Sequence, residues 1–200
     1  MASLDDRLRD ISEIRFMMEQ SSKFLSLSGL SGVSTGLVGI AAAAAAQWMV
    51  DSAGRGGAAT GMTVYFLAGS AVTLIVALLL AVYFSVRMAR KKELPLWSST
   101  TRSLLFNLFI PLAAGGFFCL ILLYHDLPLL IAPSMLIFYG LALLNASKYT
   151  LREIRYLGMS EIVLGLTASV WLSFGLILWG IGFGVLHIVY GTIMYIKYEK

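Results

Sequence analysis

The chain has 200 residues, of which 58% are hydrophobic and only 13% charged, with a formal net charge of +4. A water-soluble domain of this length carries about 25% charged residues because its outer surface faces water, so the composition excludes an ordinary soluble fold and points to lipid as the surrounding medium. The positive balance does not indicate nucleic acid, because the basic residues fall in short segments between apolar blocks, where membrane topology accounts for them.

Residues 1–25 read as a cytoplasmic amphipathic helix. Leu4, Ile11, Met18 and Leu25 recur every seven residues, Leu8 and Ile14 join the same face, and Asp5–Arg9 and Glu19–Lys23 stand at supportive i,i+4 spacing. Asp5, Asp6, Asp10, Glu13 and Glu19 suit neither a signal peptide nor a transit peptide. They also weaken any attraction to anionic lipid. Two readings stand: a docking helix for a partner or for the basic segment 87–102, and a helix lying along the membrane interface.

Residues 26–200 form the membrane domain. A bilayer core of about 30 Å needs roughly 20 apolar residues in a helix. Apolar blocks cover about 27–50, 62–86, 104–124 and 128–147, and a last one runs from 158 to 196. As one helix the last would be nearly 60 Å long at about 1.5 Å per residue, so a turn at Ser173, Phe174 and Gly175 is expected, giving spans 158–173 and 176–196. Val72–Phe84 is apolar at nearly every position, which rules out alternating barrel strands. The expected fold is therefore all-α: an integral membrane bundle of six transmembrane helices. With both termini cytoplasmic, every one of the 15 Lys and Arg residues except Arg55 falls on the inside. The outer segment Asp51–Gly61 is glycine-rich, the turn His125–Pro128 makes the third and fourth spans antiparallel neighbours, and Pro111 and Pro133 are expected to kink their helices. The single cysteine, Cys119, has no intramolecular partner.

Gly29, Gly32, Gly36 and Gly39 make a small-residue stripe on the first span, echoed by Gly180 and Gly184 on the sixth. Such stripes let helix backbones approach closely, within the bundle or between two copies. The run Gly180–Gly184 is not a dinucleotide loop, which needs a strand before it. Gly29-Leu30-Ser31-Gly32 matches the Gly-x-Ser-Gly pattern of rhomboid intramembrane proteases. Ser31, however, is expected near the cytoplasmic end of its span and His187 near mid-bilayer, too far apart for a nucleophile and its base.

Ionisable groups in the bilayer are functional candidates by default. His187 is one; His125 lies at the opposite boundary, so haem held by two histidines is not expected, and His187 should bond a neighbouring hydroxyl or carbonyl. Asn107, Asn145 and Glu161 form a second group, each placed about one turn inside the cytoplasmic boundary, with Tyr190 and Thr192 approaching the same depth. They read either as a cytoplasm-facing polar pocket or as interhelical hydrogen bonds with a snorkelling Glu161. No metal or cofactor motif is present.

The runs Gly182–Gly191 and Met194–Glu199, with Ser26–Gly32 and Glu153–Glu161, resemble a family of small polytopic membrane proteins of Bacteroidota and relatives. The resemblance covers under a quarter of the chain and implies a bacterial inner-membrane location; it carries no activity and no site residues. The sequence thus predicts a non-enzymatic accessory, sensory or regulatory membrane subunit, in contact with membrane lipids and acting through self-association or another membrane subunit. The alternative is a small transporter or lipid-binding protein that uses the polar pocket.

Overall fold

Helix is the only regular structure among the described residues of the computed structural model, which are 27–54, 62–93 and 97–200. The amphipathic segment expected over 1–25 lies outside them. In chain order the helices are α1 (Gly29–Gly54), α2 (Met62–Lys91), α3 (Ser99–Tyr124), α4 (Ile131–Ala146), α5 (Arg152–Val170), α6 (Gly175–Gly180) and α7 (His187–Tyr198). Short 3₁₀ turns at Pro128–Leu130 and Ser147–Tyr149 extend α4 on both sides, and a π-helical turn, Ile181–Leu186, joins α6 to α7. With the 3₁₀ turn Leu172–Phe174 in front, these last pieces form one rod, Leu172–Tyr198.

Local chemistry sets several of these ends. Ser98 Oγ accepts the Thr101 N–H at 3.1 Å and caps α3. The cap of α1 comes from the far end of the chain. The Glu199 carboxylate accepts from the Gly29 N–H and, at 3.3 Å, from Ser28 Oγ, placing negative charge against the positive end of the helix dipole. Pro133 is the third residue of α4. That correction removes its expected kink, because a first-turn N–H has no helical acceptor to lose. Pro111 does lie inside α3.

The long block 158–196 is broken at Trp171–Phe174, as a turn there requires, but the helix before the break is longer than expected: it begins at Arg152 rather than near 158. Arg152, Glu153 and Arg155 look like loop residues because they are charged, yet they form its first turn. Five of the helical segments, those covering Gly29–Ser52, Ala68–Lys91, Ser99–Tyr124, Pro128–Tyr149 and Leu172–Tyr198, are long and apolar enough to cross a membrane. α5 is not among them.

The helices pack almost in a row. α2 lies on α1, α1 on the rod, the rod on α5 and on α4, α5 on α4, and α4 on α3. Glycines set the closest approaches. A Cβ at Gly32 would lie 2.9 Å from Gly191 Cα, and one at Gly36 would lie 2.7 Å from the Gly184 carbonyl. The expected stripe of Gly29, Gly32, Gly36 and Gly39 thus faces the rod within the same chain. Gly140 and Gly158 bring α4 and α5 together in the same way. Leu143, Leu151, Ile154, Leu157 and Met194 cluster where α4, α5 and α7 meet. At the two ends of the row α2 exposes Val72, Leu74, Leu78 and Leu79, and α3 exposes Phe106, Phe109, Phe117 and Leu120.

Candidate functional site

α5 and the rod form an antiparallel hairpin, and polar side chains meet along it at two levels. At the open end Lys197 Nζ donates to Glu153 Oε1 at 2.6 Å, and Tyr198 OH donates to both carboxylate oxygens at 3.1 Å. Burial alone would push the Glu153 carboxyl up, but the hydrogen bonds from Lys197 and Tyr198 hold it below the usual carboxylate range.

Halfway along the hairpin Glu161 meets His187. Glu161 is fully enclosed, and neither of its carboxyl oxygens has a hydrogen-bond partner. His187 Nδ1 lies 3.5 Å from Glu161 Oε1 and 2.9 Å from the Gly182 carbonyl. A carbonyl can only accept, so Nδ1 carries a hydrogen. On the other side of the ring, Nε2 lies 2.8 Å from the Tyr139 hydroxyl of α4, which donates to the neutral imidazole. Tyr139 and Phe183 hold the ring by stacking, with centroids 5.4 and 5.9 Å away. The π turn places the Gly182 carbonyl five residues before the histidine that uses it. Such turns recur at functional sites. Trp179 Nε1, also on the rod, is buried without a hydrogen-bond partner.

An ionised carboxylate in this setting is expensive. Without a donor or counter-charge it costs several kcal/mol, so the carboxyl is relieved either by taking up a proton itself or by a proton on His187, the ionisable group 3.5 Å away on the facing helix. The sequence placed Glu161 near the cytoplasmic boundary and His187 near mid-bilayer; the structure puts them side by side. Glu161 lies roughly 14 Å into α5 and His187 roughly 17 Å from the end of α7, at about 1.5 Å per residue. The difference traces to the start of α5 at Arg152.

The remaining expected members divide differently. Asn145 Nδ2 donates to the Asn107 backbone carbonyl at 3.3 Å, and Asn107 Nδ2 donates to Ser103 O at 2.8 Å. Pro111 explains this pairing: it brings no N–H to the carbonyl four residues earlier, which is Asn107, and Asn145 supplies one from α4. Tyr190 packs against the apolar cluster, and Thr192 bonds its own helix at Ile188 O and is exposed. Ser31 Oγ donates to the Ser28 carbonyl at 2.6 Å, a local bond at the helix start. Among the described residues no group of three or more His, Cys, Asp and Glu side chains could hold a metal ion.

Two residues of the central site escaped the sequence. Tyr139 is in the middle of α4, away from the helix ends where interfacial tyrosines collect, and that position is its signal. Gly182 stands in the sequence only within a glycine run that is not a dinucleotide loop, whereas it lies where a Cβ would strike Glu161 Oε2. Comparison with known proteins finds no matching family model, no matching curated protein and no matching solved structure.

Proposed function

We propose that the chain is a multi-pass protein of the bacterial inner membrane, crossing six times with both termini in the cytoplasm, and that it works without catalysis as an accessory, sensory or regulatory subunit. The observation that carries this reading is the open row of helices. α2 and α3 flank it with broad apolar faces, which in water would drive aggregation and in a bilayer meet lipid, a second copy or another membrane chain. The sixth crossing is α5. Its charges are compatible with that role because Glu153 bonds Lys197, Glu161 faces His187, and Arg152 and Arg155 are exposed in its first turn, where long basic side chains reach the interface. The glycine stripe is occupied by the chain's own rod, so association falls to the α2 and α3 faces.

Native mass spectrometry of the full chain, released from membranes in mild detergents, tests the subunit reading. The expected result is one complex of fixed stoichiometry, either of this chain alone or with a second membrane protein. A monomer carrying only lipid in every detergent would refute it. A second reading, a small transporter, draws on Glu161 alone, since Asn107 and Asn145 are engaged in repairing the proline site.

A further inference from the structure

Glu161 is poorly explained as a stabilising residue. Replacing a buried ion pair by apolar side chains of similar volume is often neutral or stabilising, and here both carboxyl oxygens lack hydrogen bonds. The surroundings are nevertheless shaped around it. Gly182 has no side chain where Glu161 Oε2 sits, and a Cβ there would also lie 2.6 Å from Leu136 Cδ2. His187 Nδ1 stands 3.5 Å from Oε1, while Tyr139 fixes the opposite edge of the imidazole.

We infer that Glu161 and His187 form an enclosed proton-binding site in which the two groups share one exchangeable proton and Tyr139 positions the ring. The inference goes beyond the subunit reading and does not depend on which partner the chain has. The ligand is a proton and not a divalent or alkali metal cation, because those ions gather several oxygen ligands. Around this carboxyl stand an N–H donor, the Gly182 backbone and Leu136, a fully buried apolar side chain.

The ionisable groups on the packed elements are few. α4 brings Tyr139 and the rod brings His187, with Tyr190, Tyr195, Lys197 and Tyr198 further along. α5 carries Glu153, about 12 Å away along the helix and bonded to Lys197, with Arg152, Arg155 and Tyr156 exposed in the same first turns. α1 faces the rod with glycines, and its one ionisable residue, Asp51, is at its far end. A proton arriving at Nε2 makes the ring an imidazolium, the Tyr139 hydroxyl changes from donor to acceptor of the new Nε2–H, and the Nδ1–H turns from the Gly182 carbonyl to Glu161 Oε1. Transfer then breaks the N–H bond and forms an O–H bond, leaving the imidazole and the carboxylic acid both neutral. No co-reactant other than the proton is needed.

Infrared difference spectroscopy of the full chain in lipid vesicles, titrated over pH, tests this. The carboxyl C=O band and the histidine ring modes are expected to change together in one step. Glu161→Gln should abolish the carboxyl change, and Glu153→Gln should leave it in place. Carboxyl and ring changes at separate pH values, or a carboxyl step that survives Glu161→Gln, would overturn the inference. Should Glu161→Gln fail to fold, Tyr139→Phe keeps the ring stack and removes the hydroxyl. It is expected to shift the shared step by several-fold in proton affinity, and an unmoved step overturns the proposal. Replacing sodium by choline separates the cations: a step that follows sodium concentration rather than pH would assign the site to an alkali ion instead.

Discussion

Asn145→Leu is expected to destabilise the bundle only as long as Pro111 is present. Pro111 withholds an N–H from the Asn107 carbonyl, and Asn145 Nδ2 reaches across from α4 to supply one at 3.3 Å. A side-chain hydrogen bond between membrane helices is worth about 0.6 kcal/mol on average and up to roughly 2 kcal/mol. The 3.3 Å length argues for the lower half of that range, about 0.5–1 kcal/mol. Pro111→Ala restores the helix's own donor, so the asparagine loses its task and Asn145→Leu should then cost close to nothing. The double-mutant cycle therefore carries a coupling nearly equal to the single cost. Unfolding of the purified chain in mixed micelles, followed by loss of helical signal, measures all four corners. An Asn145→Leu penalty that is the same with and without Pro111 would refute the account of the asparagine pair.

The glycine contacts predict a graded series. Gly36→Ala should destabilise by about 1–3 kcal/mol, as overpacking does, because its methyl would lie 2.7 Å from the Gly184 carbonyl. Gly116→Ala, with nothing within 4 Å, should be neutral or mildly stabilising in the same unfolding assay. Equal effects at both places would contradict the packing of α1 on the rod. The Glu153 carboxyl gives a pH dependence: because Lys197 and Tyr198 hold it below its unfolded value, its contribution is present at neutral pH and lost as pH falls through the folded value. Glu153→Gln should flatten the acid limb of stability against pH, and an unchanged acid limb would show that the clamp contributes nothing. Gly182→Ala should disturb the central site more than the fold, since the added methyl meets Glu161 Oε2; an unchanged infrared carboxyl signature in that variant would argue against the packing of Glu161 on Gly182.

Much of the architecture was legible in the sequence because apolar length is a strong signal. The blocks that became α1 to α4 needed only the 20-residue yardstick, and the excess length of 158–196 required a turn that the structure places at Trp171–Phe174. Charge misled at one point. Arg152, Glu153 and Arg155 look like loop residues, yet they begin α5, and moving that boundary shifts Glu161 by about 9 Å at 1.5 Å per residue. The pairing of Glu161 with His187 was therefore invisible, and so was the π turn, which has no sequence signature beyond its glycines. Asn107 and Asn145 were readable as a pair by depth. What they bind depends on Pro111, which the sequence offered only as a kink.

Six crossings with both termini inside can be tested most directly at the turn between α5 and the rod. In a Cys119→Ser background, Ser173→Cys should react with a membrane-impermeant thiol reagent added to the outside of intact cells, and Arg155→Cys should react only after the membrane is opened. Labelling of position 155 from outside, or of position 173 only after opening, would contradict the passage of α5 through the bilayer and with it the membrane arrangement of the whole hairpin.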